Sequence, residues 1–131
     1  MNTKIILTAS AIVLGLTGIT FSFFPEELLR HAGIGSIPVA RIALQLLGAL
    51  YFAFAMLNWM AKGAIIGGIY NKPAATANLA HFFIGAAALV KALLHNYASC
   101  WLLWLAAGVY LVFALCFGLI FTGYITTGPN K

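Results

Sequence analysis

Seven side chains could carry polar chemistry within otherwise apolar stretches of this 131-residue sequence: Arg41, Gln45, Asn58, Asn78, His81, Lys91 and His95. Their spacing is helical. Arg41, Gln45, Gly48 and Phe52 share one face of a helix. Asn78, His81, Gly85 and Ala88 share a face of the next, and Lys91 with His95 continues it. On antiparallel helices joined by a short loop, residues near the loop meet at one depth and residues far from it at another. Asn58 is therefore expected opposite Asn78 and His81 in an inner polar layer. Arg41 and Gln45 are expected opposite Lys91 and His95 in an outer one.

The chemistry open to the outer layer is recognition of an anion. Buried cations need counter-charges, and the whole chain offers only Glu26 and Glu27. Local i,i+4 pairs, Glu26 with Arg30 and Glu27 with His31, would already engage both acids. Either a glutamate folds back over the helix ends, or a lipid phosphate, a fatty-acid carboxylate or an acidic residue of a partner completes the layer. Lys91, about one turn inside, can instead snorkel to the interface. Asn58 and Asn78 in the inner layer, and Gln45 in the outer one, suit interhelical hydrogen bonding, worth about 0.6 kcal/mol each. His81 fits a packing role better than ligation, because amide side chains are poor partners for a transition metal.

Other chemistries lack their residues. With both acids outside the apolar runs, no serine–histidine–carboxylate arrangement is available within them, nor the embedded carboxylate of a proton-coupled exporter. No glycine-rich phosphate loop follows a strand. Cys100 and Cys116, on one helix, would lie roughly 24 Å apart at 1.5 Å per residue, too far to pair. Neither has a second ligand at metal spacing. No haem, flavin or iron–sulfur pattern occurs, so no cofactor is expected beyond a bound lipid or quinone. Seven Lys/Arg against two Asp/Glu give a net charge of +5. The cations are scattered singly, which argues against nucleic acid.

The elements holding these residues must lie in a membrane. The chain is 63% hydrophobic and 7% charged, with mean hydropathy +1.03, against roughly 45–50% and 25% in soluble domains. Four apolar runs, about 5–24, 38–61, 74–94 and 100–124, reach spanning length. The Ala9-Ser10-Ala11 triplet sits inside the first run rather than after it, so a span is expected there and not a cleaved signal. Backbone groups in lipid must be satisfied within a segment, and period-two alternation is missing, so the runs should be helices. Pro25 to Gly33 reads as a short interfacial helix, Lys62 to Pro73 as a glycine-rich reversal, and Asn96 to Ser99 as a tight turn. The expected fold is all-α: one integral-membrane domain, 1–131, built as a four-helix bundle with an interfacial helix after its first span. Lys4, Lys62, Lys72 and Lys131 share one side, which the positive-inside rule makes cytoplasmic, with both termini. Phe23, Phe24, Tyr97, Trp101 and Trp104 would form the outer aromatic belt, and Trp59, Tyr70, Phe121 and Tyr124 the inner one. Small-residue faces (Ala11-x-x-x-Gly15, Gly85 to Ala88, Ala107-Gly108, Ala114-x-x-x-Gly118) permit close helix approach, within the bundle or with a partner.

The pattern Arg41-x-x-x-Gln45-x-x-Gly48-x-x-Tyr51, preceded by a Pro-Glu segment, resembles the DoxX-like small membrane proteins, as does Asn78-x-x-His81 opening the third span. That group of four-helix bundles includes quinone-linked oxidoreductase subunits and sterol-pathway scaffold proteins. The resemblance implies a bundle with a polar patch near one membrane face. It transfers no reaction. The leading functional expectation is a non-enzymatic inner-membrane accessory or scaffold subunit that contacts membrane lipids and other membrane subunits, or a second copy of itself. A lipid would sit at its outer layer. The alternatives are a quinone- or lipid-headgroup-binding subunit of a redox or lipid-modifying enzyme, lined by Arg41, Gln45, Lys91 and His95, and an oligomeric transporter or channel using Asn58, Asn78 and His81.

Overall fold

A computed structural model describes residues 3–33, 35, 37–63, 71–95 and 101–122. These form five helices: α1 (Thr3–Phe23), α2 (Pro25–His31), α3 (Pro38–Ala61), α4 (Asn71–Leu94) and α5 (Trp101–Phe121). The four long ones are long and apolar enough to cross a membrane and overlap the four expected spans, except that α4 begins at Asn71, so residues 71–73 of the expected reversal are its first turn, where Pro73 needs no N–H partner. The Asn96–Ser99 turn, residues 64–70 of the reversal, and Tyr70, Tyr97, Cys100, Tyr124 and Lys131 lie outside the described residues.

Local sequence explains where the helices start and stop. Pro25 and Pro38 open α2 and α3, where a missing N–H costs nothing and a fixed φ is already helical. Gly33 follows α2 at φ +71°, the left-handed conformation that ends helices and that side-chain-bearing residues resist. Hydroxyls within α1 are returned to the backbone one turn earlier: Thr17 Oγ1 donates to Val13 O at 2.8 Å and Thr20 Oγ1 to Leu16 O at 2.8 Å. Such back-bonding lets polar side chains sit in an apolar helix.

Contacts divide the chain into two compact units, Leu7–Gly63 and Met1–Ile6 with Ala64–Lys131. In the first, α1 and α3 touch backbone to backbone. A Cβ added at Gly18 would lie 2.8 Å from Gly48 O and from Phe52 N, and one added at Gly48 would lie 2.8 Å from Gly18 O. Further along the same pair, a Cβ at Gly15 would meet Ala55 Cβ at 3.5 Å. The Ala11/Gly15 face thus serves packing within this unit. Here α2 packs against α3.

In the second unit α4 packs along α5 around the fully buried Phe82. Its ring stacks on Phe113 (centroids 4.9 Å) and Phe117 (5.6 Å) and meets Tyr110 edge-on at 5.2 Å. Tyr110, Phe113 and Phe117 fall on one face of α5, and such offset or edge-on arrangements are the favourable ones for aromatic pairs. Ala114 is buried, and a Cβ at Gly118 would only just touch Leu79. Outward-facing residues on the long helices are large and apolar, among them Leu46, Met60, Phe83 and Leu115.

Candidate functional site

The last carbonyls of a helix have no partner within it. At the end of α1, Thr20 O accepts from Phe24 N at 2.9 Å, and Ser22 O receives the Gln45 side-chain amide at 3.5 Å. One turn earlier on α3, Arg41 Nη1 meets Glu26 Oε1 at 2.5 Å. Arg41 and Gln45, four residues apart, thus clasp the α1–α2 corner onto α3. The remaining stripe residues face the same way, Gly48 against Gly18 and Ser22, and Phe52 against Gly18.

This geometry corrects one expectation. Glu26 is paired with Arg41 rather than with Arg30, and among the described residues Glu27 makes no ion pair. The reason is positional: Pro25 starts α2 immediately after α1 ends, which sets its first turn beside the first turns of α3. The fold-back of a glutamate is the arrangement formed. The pair is open to solvent, 46% and 59% exposed, so its contribution falls within about 0–1 kcal/mol.

Around the clasp lies an open cleft of about 300 Å³ lined by Phe23, Pro25, Glu26, Glu27, Arg41 and Gln45. Two acidic residues and one arginine line it. Phe23 contributes a ring that is 75% exposed. Among the described residues no three His, Cys, Asp or Glu side chains converge. The cleft works through charge, hydrogen bonding and an aromatic wall.

Lys91 and His95, the other two residues expected in the outer layer, belong to the other unit. Lys91 is exposed in the last turn of α4, and the His95 ring nitrogen Nδ1 lies 2.9 Å from Lys91 O. A protonated Nδ1 there donates to a carbonyl at the helix end.

Of the residues expected in the inner layer, Asn58 is fully buried and donates from Nδ2 to Ser10 Oγ at 3.0 Å. Ser10 in turn donates to Leu7 O at 3.0 Å. Asn78, also fully buried, donates to Ala74 O at 2.8 Å within its own helix. His81 is half-buried, with Nε2 3.4 Å from the Tyr110 hydroxyl. Gly85, one turn further along α4, makes that approach possible, because a Cβ there would overlap the Tyr110 ring.

Three participants escaped sequence reasoning. Ser10 was hidden in an apolar run, although it is seven residues before Thr17 and so on the same face of α1. Tyr110 carries a polar tip in the most apolar helix, at aromatic spacing with Phe113 and Phe117. Phe23 appeared only as a belt residue, yet it walls the cleft. The chain matches no family model, no curated protein and no solved structure.

Proposed function

We propose that this chain is a small integral inner-membrane protein with both termini in the cytoplasm, related to the DoxX-like proteins. On this reading it is a non-enzymatic accessory or scaffold subunit of a larger membrane complex. Its cleft at Arg41 and Gln45 holds a lipid headgroup. The observation that carries this reading is the cleft itself: charged groups of both signs and an exposed ring gathered where α1 ends and α3 begins, which on this reading is where a spanning helix leaves the hydrocarbon. The inner polar residues are taken up by hydrogen bonds inside each unit, which favours a packing role over a transport path.

A second reading has support in the same place. Arg41 and Gln45 set two side-chain donors one turn apart, an arrangement that also suits the carbonyl oxygens of a quinone in a redox or lipid-modifying complex. Native mass spectrometry after gentle extraction separates these readings. A co-purifying protein or a stoichiometric phospholipid is the expected result. A stoichiometric quinone, visible by its absorbance, would favour the second reading, and a bare chain would remove both.

A further inference from the structure

We infer that the cleft selects a zwitterionic phospholipid whose headgroup carries a primary ammonium, resting on the reading of the cleft as a headgroup site. The sequence alone points to an outer layer short of anions, yet the cleft as folded holds Glu26 and Glu27 against Arg41. Glu26 already meets Arg41, and among the described residues Glu27 has no ion-pair partner. The uncompensated charge is therefore negative. A fatty-acid carboxylate or a headgroup of net negative charge would add a further anion beside Glu27. That repulsion grows as water is displaced near the membrane surface.

A phosphate linked to a primary ammonium matches both sides of the cleft. Guanidinium has five N–H donors, so Arg41 keeps donors free for phosphate oxygens while one holds Glu26. The Gln45 amide, whose contact with Ser22 O is long at 3.5 Å, adds another. Glu26 and Glu27, which line the same cleft, offer carboxylate oxygens to the three N–H groups of an ammonium, and the exposed Phe23 ring can take the cation on its face. A quaternary ammonium gains only the ring and the charge, so a primary amine is preferred. Ile42 and Leu46, exposed and apolar beside Arg41 and Gln45 on α3, offer acyl chains a surface.

The test uses the full chain reconstituted in vesicles of equal parts phosphatidylethanolamine, phosphatidylcholine and phosphatidylglycerol, then released for native mass spectrometry. One phosphatidylethanolamine should be retained per chain, enriched about tenfold over phosphatidylglycerol, an advantage of about 1.4 kcal/mol. Glu27→Gln should bring that ratio near parity, Glu27→Lys should invert it, and Arg41→Gln should reduce retention of all three lipids. Glu27 is exposed, so these variants should keep the wild-type helix content by circular dichroism. Equal retention of phosphatidylglycerol, or of phosphatidylcholine, or a ratio insensitive to both Glu27 variants, would overturn the ammonium inference while leaving a headgroup site in place. No lipid enriched over bulk would overturn that site as well. Displacement by soluble glycerophosphoethanolamine at concentrations matching the lipid would show that a free zwitterion, not a lipid, is the ligand and overturn the lipid assignment.

Discussion

The Asn58–Ser10–Leu7 chain shows how single side chains are made tolerable in an apolar interior. Asn58 donates to a hydroxyl that itself donates to a main-chain carbonyl, so the Ser10 hydroxyl serves as acceptor and donor at once. Ser10→Ala removes the middle link. It should destabilise the protein by about 0.6 kcal/mol and at most about 1.7, read as a lower midpoint in thermal or denaturant unfolding in detergent. Asn58→Ala should cost more, because it leaves a cavity as well. A double-mutant cycle should return a coupling of similar size to the Ser10→Ala loss. A coupling of zero would show the two groups to be energetically independent. That Asn58 is a packing amide was legible in the sequence from its type and place. Its partner was not, since several hydroxyls and amides in other runs were equally available on paper.

At the scale of elements, the decisive contact is the backbone crossing of α1 and α3. Gly18 and Gly48 leave no room for a methyl group, since each would press on the other helix's main chain, which cannot move aside as a side chain can. Gly18→Ala should therefore destabilise by about 1–3 kcal/mol, the usual range for overpacking. Gly108 on α5 provides the contrast: nothing lies within 4 Å of a Cβ added there. Gly108→Ala should be neutral or slightly stabilising through helix propensity. Unfolding midpoints of the two variants side by side test the crossing. Equal effects would remove it as a stability determinant. The small-residue faces were visible in the sequence at Ala11/Gly15, Gly85 to Ala88 and Ala114/Gly118, and Gly85 does meet the Tyr110 ring closely, but the crossing of main chain on main chain fell at Gly18 and Gly48, outside those faces. Spacing reveals that a face is small; only the crossing point reveals which small residue is indispensable.

For the whole molecule, the proposed orientation puts Lys62 in the cytoplasm and Glu27 on the other side. With Cys100 and Cys116 replaced by serine, single cysteines at positions 27 and 62 should label oppositely in intact cells with a membrane-impermeant maleimide. Position 27 should react from outside and position 62 only after the membrane is opened. The reverse pattern would invert the topology and move the cleft to the cytoplasmic face. Local rules underlie this expectation: basic residues near the ends of the spans, counted without the acids.

Composition and the period of the apolar runs by themselves determined the all-α class, the four spanning-length helices, the short helix after the first, and the proline starts and glycine stop that bound α2. Those are consequences of backbone chemistry in an apolar medium and need no knowledge of neighbours. Tertiary structure decided which groups became partners. It gave Glu26 to Arg41, set Tyr110 over Gly85 beside His81, and put Glu26 and Glu27 with Arg41 in one cleft. The physical reason is that hydrogen bonds and ion pairs act over a few ångströms. Distances between side chains far apart in sequence are set by where helices cross, and α1 and α3 cross where two glycines let their backbones touch.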